Sequence, residues 1–413
     1  MSLTLLGCGG GGGSEEEKPV SLAELRQRPL ALTTDQVPAV TGLSIASASL
    51  AIGLGDWAVA TLKEASHKLP DGTSKACTNH HNTQTSKSST RLWEDTNRDG
   101  KLNEGDKISV VFEGDRFSAG IDQCFVPELG SYVVGRIDIR ISQLQDARRG
   151  SVAGEISFPQ PLIFLDEGGG AATARLAGSL RFSSNVEDFQ VRMDIQPSAL
   201  DDLRIPIDVP DPKTGQIILI NEYIKSPSLT RIIQYDVART TMTGSLQVQS
   251  EALKGRFDFR FGNGLSAHLL QFPHEGGAEV VGDKGKISIS PGSKNAERYF
   301  AVKLDSAGDG TYEYSSTVDW QNFDVGNLWT DGSSSRPFLK DLQELGFQAR
   351  VLVEGADIAW EGNKPLTVQF MQEITPGQSI EFRLRKVIDT GYWYILSVKT
   401  REVIHPFYEE LRV

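Results

Sequence analysis

Residues 134–141 read Val-Gly-Arg-Ile-Asp-Ile-Arg-Ile, and this stretch decides the fold class. From Ile137 onward, apolar residues alternate with charged ones, so a β-strand would put all the isoleucines on one face and the charges on the other. Such alternation is typical of antiparallel strands with one face on the core and one in water. Similar short segments recur at residues 108–112, 180–182, 189–195, 246–248, 257–261, 287–289 and 312–314. The sequence therefore predicts a mainly β protein, with a large antiparallel sheet curved into a half-barrel or folded as a sandwich.

Turns between these segments are rich in Gly, Asn, Asp and Pro, and 41 of the 413 residues are glycine. The glycine content, about a tenth of the chain, exceeds the usual ~7% and predicts many tight turns. A weak internal repeat is also present. Residues 176–182 and 242–248 share a Gly-Ser-Leu-x-apolar core, centred on Gly178 and Gly244. Two copies are too few for a solenoid.

One segment has a different pattern, because residues 36–55 carry no charge and are rich in Ala, Ser, Thr and Gly. We predict one or two helices over residues 41–67, broken near Gly53 and Gly55, which pack on the sheet through small side chains. The uncharged run also has the length of a membrane span. Its composition and its continuation into the polar sequence from Asp56 to Glu64 favour the packed helix.

The overall charge limits the classes of partner. The chain has 42 Lys plus Arg and 54 Asp plus Glu, which gives a formal net charge of −12. Nucleic-acid binding needs a basic face, and the sequence has no cluster of Lys and Arg to build one. A hydrophobic fraction of 39% excludes a polytopic membrane protein and fits a globular one.

An apolar run at the N-terminus ends in a small residue directly before a cysteine: Leu5-Leu6-Gly7-Cys8. This order resembles the lipobox of bacterial lipoproteins, although only seven residues precede Cys8, fewer than a full signal peptide has. The resemblance implies that residues 1–7 are the remnant of a signal peptide and that Cys8 carries a diacylglycerol. It also implies a membrane-bound protein, and Gly9 favours the outer membrane, on its periplasmic or surface-exposed side.

Residues 8–35 are predicted to be a lipidated, flexible tether, because five glycines and a run of glutamates follow Cys8. The main domain, a helix plus the antiparallel sheet, is predicted over residues 36–331. A polar linker, residues 331–337, would separate it from residues 337–413. That last part has a short helical pattern at residues 338–345 and several apolar segments, which predict either a small C-terminal β domain or closing strands of the main sheet.

Cys77 and Cys124 remain once Cys8 is assigned to lipid. In an oxidising periplasm an even pair is most simply a disulfide. An alternative is a metal cluster formed by Cys77 with His80 and His81, which would need a free thiolate in that compartment.

Residues 95–106, Asp-Thr-Asn-Arg-Asp-Gly-Lys-Leu-Asn-Glu-Gly-Asp, form the strongest motif. Calcium takes six to eight oxygen ligands, and a twelve-residue loop with oxygens at positions 1, 3, 5, 7, 9 and 12 and glycine at position 6 supplies them. The segment resembles EF-hand-type calcium loops, and its last aspartate is closer to the dockerin variety. The ligands implied by this resemblance are Asp95, Asn97, Asp99, the Lys101 carbonyl, Asn103 and Asp106.

The resemblance covers these twelve residues only, and Lys107 to Phe112 then read as a strand where a dockerin has a helix. Cohesin binding is therefore not inferred. The loop, the following strand and the nearby cysteine together also resemble a group of uncharacterised proteobacterial lipoproteins. We expect a structural calcium ion, and the alternative is a polar turn without metal. A weaker echo, Asp305 to Ser316, has Ala307 at position 3 and is predicted to be a hairpin turn.

No nucleophile elbow, zincin helix, phosphate loop or dinucleotide fingerprint is present, so no catalytic residue is assigned. Trp320 and Trp329 could stack on a sugar ring or belong to the core. We predict a non-enzymatic, lipid-anchored envelope protein of structural or binding role. The alternatives are a carrier of a lipid or glycan on a concave β face, and an envelope hydrolase with two carboxylates that leave no sequence signature. Its partners would be a membrane, a lipid, a glycan or another envelope protein.

Overall fold

The computed structural model describes ten stretches of chain and five isolated strand segments. They are residues 21–79, 83–114, 122–145, 150–165, 172–187, 190–210, 217–234, 239–268, 273–291 and 299–319, and strand segments 348–353, 379–386, 393–399, 404–405 and 410–411.

Seventeen strands form one large sheet, which confirms the predicted fold class. They are β1 Ser74–Thr78, β2 Gln84–Glu94, β3 Lys107–Phe112, β4 Cys124–Val126, β5 Ser131–Leu144, β6 Ser151–Leu165, β7 Ala172–Glu187, β8 Gln190–Pro197, β9 Leu203–Pro210, β10 Ile217–Gln234, β11 Arg239–Ser250, β12 Gly255–His268, β13 Pro273–Gly276, β14 Ala278–Val281, β15 Lys286–Pro291, β16 Tyr299–Asp305 and β17 Tyr314–Asp319.

The sheet is an antiparallel meander in which most strands pair with the next one along the chain. The long strand β10 joins the two halves of the sheet. Its first part pairs with β9 and its last part with β8, and on its other edge it pairs with β11 from Glu222 to Gln234. Beyond β11 the ladder continues through β12, β14, β15 and β16 to β17. Consecutive pairing of this kind needs only short connections.

In the described residues, two α-helices precede the strands: α1 Leu22–Leu25 and the 31-residue helix α2 Val37–His67, which directly follows a short 3-10 helix, Thr34–Gln36. Every residue from Ala51 to Val59 is buried, and nine consecutive residues span two and a half turns, so all sides of the helix are covered there. A flat sheet would cover one side only. Because α2 contacts strands from β6 to β14, we conclude that the sheet curves around the helix.

The predicted break near Gly53 and Gly55 is wrong, because α2 runs through both glycines without interruption. Gly55 has a packing role instead. A Cβ atom there would lie 2.8 Å from Cδ1 of Ile195 and 2.9 Å from Sδ of Met193, both on β8. The close approach of β8 offsets the ~1 kcal/mol that a glycine costs inside a helix.

Residues 34–67 are also long and apolar enough to cross a membrane by length and composition. Core helices and signal sequences pass the same test, and 67% of the most apolar window is buried in this structure.

The last part of the predicted tether is part of the folded body. Residues 21–32, called the N-terminal arm below, include Leu30 and Leu32, which are each 4% exposed and belong to the core. The Leu30 N–H donates to the Arg256 carbonyl at 2.8 Å, and the Leu30 carbonyl accepts the Asp283 N–H at 2.8 Å. The arm therefore crosses the ends of two hairpins. Its docking was not predicted from the sequence, because two isolated leucines give no periodic pattern.

Five C-terminal strands form a second sheet: β18 Gln348–Val353, β19 Ser379–Lys386, β20 Trp393–Lys399, β21 Ile404–His405 and β22 Glu410–Leu411. Strands β18 and β19 pair in parallel, whereas β20 is antiparallel to its neighbours. The predicted linker and the predicted helix at residues 338–345 lie outside the described residues.

Candidate metal centre

The predicted calcium loop, residues 95–106, closes the hairpin between β2 and β3. Glu94 and Lys107 are cross-strand partners at its base, and their side chains form an ion pair at 2.6 Å. A hydrogen bond and the charge of Lys107 hold the pKa of the exposed Glu94 carboxyl below its usual range. The strand that was predicted after the loop is present, so the loop lies between two strands and not between the two helices of an EF-hand.

Asp95 organises the first half of the loop. Its carboxylate accepts N–H groups from Arg98 at 2.6 Å, Asp99 at 3.3 Å and Gly100 at 2.8 Å. The chain turns tightly around it, because Arg98 and Gly100 both have left-handed backbone conformations, with φ of 60° and 74°. A short acidic side chain that hydrogen-bonds backbone N–H groups is favourable in such a turn.

Three further predicted ligands lie within hydrogen-bond distance of one another. The Nδ2 atoms of Asn103 and Asn97 donate to Oδ2 of Asp99 at 2.7 and 3.3 Å, and Asn97 also donates to Oδ1 of Asn103 at 3.2 Å. The Lys101 N–H donates to Oδ1 of Asp99 at 2.8 Å. Calcium binds oxygen, so both amides would have to turn their oxygens toward an ion held at this cluster.

Asp106 differs from the other predicted ligands, because it is fully buried at the base of the loop. Its carboxylate accepts the Trp93 Nε1–H at 3.1 Å, the Thr96 N–H at 2.9 Å and the Asn103 N–H at 3.2 Å. Backbone hydrogen bonds of 2.9 Å also join Gly105 and Asp106 to Ile141 on β5. In this arrangement Asp106 fixes the loop to the sheet. Asp95 is half-buried and Asp99 is exposed, so these two carboxylates are the ones that an ion can reach from solvent.

Within the described part of the chain, no three His, Cys, Asp or Glu side chains form a group that could hold a metal by themselves. The loop fits this result, because its possible calcium ligands other than Asp95 and Asp99 are amide and backbone oxygens. A calcium site here would combine two charged and several neutral oxygens.

The weaker echo at residues 305–313 has the same backbone design. Asp305 accepts N–H groups from Gly308 at 2.6 Å, Asp309 at 3.1 Å and Gly310 at 2.8 Å, and the Thr311 N–H donates to Asp309 at 2.8 Å. As in the first loop, the residues three and five positions after the first aspartate have positive φ.

The echo closes the hairpin between β16 and β17, as predicted. Ala307 supplies no side-chain oxygen at the third position, and the Glu313 carboxylate accepts hydrogen bonds from Ser306. The second loop thus shares the scaffold of the first loop and lacks one of its side-chain oxygens. The sequence signal that relates them is Asp-x-x-x-Asp-Gly.

The predicted pair of cysteines is joined, because Cys77 on β1 and Cys124 on β4 form a disulfide with a Cα–Cα distance of 4.9 Å. Both residues are buried in the core. The alternative cluster would need a free Cys77 thiol together with His80 and His81, and those histidines lie outside the described residues.

Cys8, Trp320 and Trp329 also lie outside the described residues, so their predicted roles in lipidation and ligand stacking stay predictions. Comparison with known proteins adds no relative: no protein-family model, curated protein or solved structure matches this chain.

Proposed function

We propose that this chain is a lipid-anchored protein of the bacterial cell envelope, with a non-enzymatic structural or binding role and one structural calcium ion at residues 95–106. The observation that carries the calcium part of the proposal is the convergence of Asn97, Asp99 and Asn103 beside a turn built on Asp95. Oxygen-rich loops of this length are suited to calcium, which is abundant outside the cytosol.

A stabilising role is favoured over a sensor role. Sensor loops lie between paired helices that open to expose a groove. This loop closes a β-hairpin and is hydrogen-bonded to β5 through Ile141. An ion bound here would join the ends of the neighbouring strands β2 and β3 and would offset the repulsion between Asp95 and Asp99.

Calcium is therefore expected to raise the melting temperature of the full chain. With calcium at ~100 times its dissociation constant, the stabilisation is about 2.7 kcal/mol, which corresponds to about 4 °C for a folded unit of roughly 300 residues. We would measure thermal unfolding in EGTA and across a calcium titration from micromolar to about 10 mM.

Two matched variants test whether the rise in melting temperature comes from calcium bound at residues 95–106. Asp99→Asn keeps an acceptor for the Lys101 N–H, removes one charge and should raise the calcium concentration needed for half of the shift by about 10-fold or more. Asp309→Asn makes the same change at the equivalent position of the second loop and should leave the response unchanged. An unchanged melting temperature at about 10 mM calcium would contradict the proposed site.

Anchoring depends on Cys8 and on the Gly- and Glu-rich segment after it. In bacteria that process lipoproteins, the protein is expected in the membrane pellet and should resist high-salt extraction, since two acyl signals anchor stably. Cys8→Ser should move it to the soluble periplasmic fraction, with its disulfide intact. The same distribution for both proteins would refute lipidation at Cys8.

The packing of α2 favours the structural role over the carrier role. The sheet face that a carrier would offer to a lipid or glycan is covered by α2 in the described residues, and both elements belong to one hydrophobic core. A ligand on that face would have to displace the helix, which would expose the apolar residues from Ala51 to Val59.

A further inference from the structure

Two buried carboxyl groups lie beside the N-terminal arm, where the hairpin of β11 and β12 turns. Glu222 on β10 is 3% exposed, and Glu251, in the turn, is 5% exposed. Charged side chains are almost never buried to this extent without partners. Glu251 has such partners, whereas one carboxyl oxygen of Glu222 has none.

Glu222 has few partners for a buried carboxyl. Its Oε1 accepts the Ser250 hydroxyl at 3.0 Å and the Ala252 N–H at 3.3 Å, whereas Oε2 is buried and has no hydrogen-bond partner. No basic side chain forms an ion pair with it within the described ranges. An ionised carboxylate in this environment is strongly disfavoured.

Glu251 connects the same turn to the arm. Its Oε2 accepts two N–H groups of Asn221, at 2.6 and 3.1 Å, and its Oε1 lies 3.7 Å from Nη1 of Arg26. The Arg26 guanidinium also lies 4.5 Å from the ring centroid of Tyr223. Arg26 belongs to the arm, so the turn that covers Glu222 also holds the arm.

The backbone of the arm is seated next to this turn. Arg256, at the start of β12, donates to the Arg28 carbonyl at 2.7 Å and accepts the Leu30 N–H at 2.8 Å. A Cβ atom on Gly255 would lie 3.0 Å from Cα of Leu30, and one on Gly282 would lie 2.3 Å from the Leu30 carbonyl oxygen. Movement of the turn would therefore directly disturb the contacts that hold the arm.

We propose that Glu222 is a proton-controlled latch for the N-terminal arm: the arm is docked while the Glu222 carboxyl is neutral, and it is released when that carboxyl ionises. Ionisation puts a negative charge on a buried oxygen without a donor, next to the negative charge of Glu251. Opening of the turn at residues 250–253 hydrates the carboxylate and withdraws Glu251 from Arg26.

The charged groups around Glu222 favour its neutral form while the arm is docked. From the turn it faces Glu251, and Arg26 of the arm reaches Glu251. On β9, the residue opposite Glu222 is the apolar Ile205. Burial first, and the charge of Glu251 in addition, raise the pKa of Glu222 to about 7, although the Ser250 and Ala252 hydrogen bonds oppose the rise.

The release would occur as the pH rises. A carboxyl with a raised pKa in the docked state favours docking when it is protonated, and this advantage is lost as the pH rises from its ordinary pKa, about 4.5, through 7. If the open state restores the ordinary pKa, the opening equilibrium rises about 25-fold between pH 5.5 and pH 8.

Hydrogen exchange of the full chain, followed by mass spectrometry and corrected for the intrinsic effect of pH, tests the latch. Peptides that contain the N–H groups of Leu30, Arg256 and Asp283 should lose about 25-fold in protection between pH 5.5 and pH 8. Peptides from β5 should keep theirs. Equal protection of the arm at both values, or an equal loss in β5, would overturn the proposal.

Variants identify the group that titrates. Glu222→Gln should abolish the pH dependence of the arm, whereas Glu279→Gln, the same change on β14, should preserve it. Ser250→Ala removes a donor to Glu222 and should move the midpoint to higher pH, which provides a second test if Glu222→Gln folds poorly. The latch would be refuted if the protection of the arm still depended on pH in Glu222→Gln, or if the midpoint were unchanged in Ser250→Ala.

Discussion

The Asp56→Ala variant is expected to lose about 3 to 5 kcal/mol of the free energy of unfolding, because it leaves a buried arginine without its counter-ion. Asp56 lies in the middle of α2 and is 6% exposed, and Arg231 on β10 is 1% exposed. The guanidinium donates to both carboxylate oxygens, at 2.8 and 2.5 Å. Planar two-point contacts of this kind are the strongest ion pairs between side chains.

The size of this loss comes mainly from desolvation. Removal of two charges from water costs several kcal/mol per ion, and their mutual attraction recovers most of this cost only while both are present. Replacement of the pair with apolar residues of similar size removes both terms. We therefore expect Asp56→Leu combined with Arg231→Met to be within about 2 kcal/mol of the wild type.

Urea unfolding of the single and double variants measures these effects. Arg192→Ala provides a control, because Arg192 on β8 is half exposed and its ion pair with Asp194 should contribute under 1 kcal/mol. A loss below about 1 kcal/mol for Asp56→Ala would contradict the expected role of the pair, as would a double variant no more stable than the single one.

The sheet could be predicted where one face is apolar and the other polar, as in β3, β5 and β12. Strand β2 was missed because residues 84–91, Gln-Thr-Ser-Lys-Ser-Ser-Thr-Arg, contain no apolar residue. Strand β10 was missed because it begins with a continuous apolar run, residues 217–220, and contains Pro227. Proline has no N–H to donate to a ladder, and β10 accommodates it where its register with β11 shifts.

Long-range contacts explain what the sequence could not predict. The loop at residues 95–106 is local, so its ligand pattern can be read from twelve residues. In contrast, Asp56 and Arg231 are 175 residues apart, and nothing local shows that either is buried. The burial of Glu222 likewise depends on a turn and an arm that come from distant parts of the chain, so the sequence around Glu222 does not indicate it.

The glycines of the two repeated Gly-Ser-Leu segments share one structural role, and their substitution is expected to be strongly destabilising. Gly178 and Gly244 have φ of 94° and 103° in the middle of β7 and β11. A Cβ atom on Gly178 would lie 1.9 Å from the Asp202 carbonyl oxygen, and one on Gly244 would lie 1.9 Å from the Ser228 carbonyl oxygen. Both contacts are with backbone, so no rotation of a side chain can relieve them.

Both glycines lie where the sheet changes its pairing. Next to Gly178, β7 passes from β8 to β9. At Gly244, the register of β11 with β12 shifts, and its register with β10 shifts a few residues later, between Ser245 and Gln247. Bends and bulges of this kind allow long strands to curve. The repeat therefore marks two points where the sheet bends around α2.

Gly244→Ala is expected to cost about 2 to 6 kcal/mol, since the left-handed backbone adds about 1 to 3 kcal/mol of strain and the clash adds a similar amount. Gly262→Ala on β12 is the matched control, because the nearest atom to its added Cβ lies at 3.4 Å. That control should change the free energy of unfolding by less than about 1 kcal/mol. Equal effects of the two substitutions in urea unfolding would show that the repeat does not mark a bend, and that the curvature of the sheet has another origin.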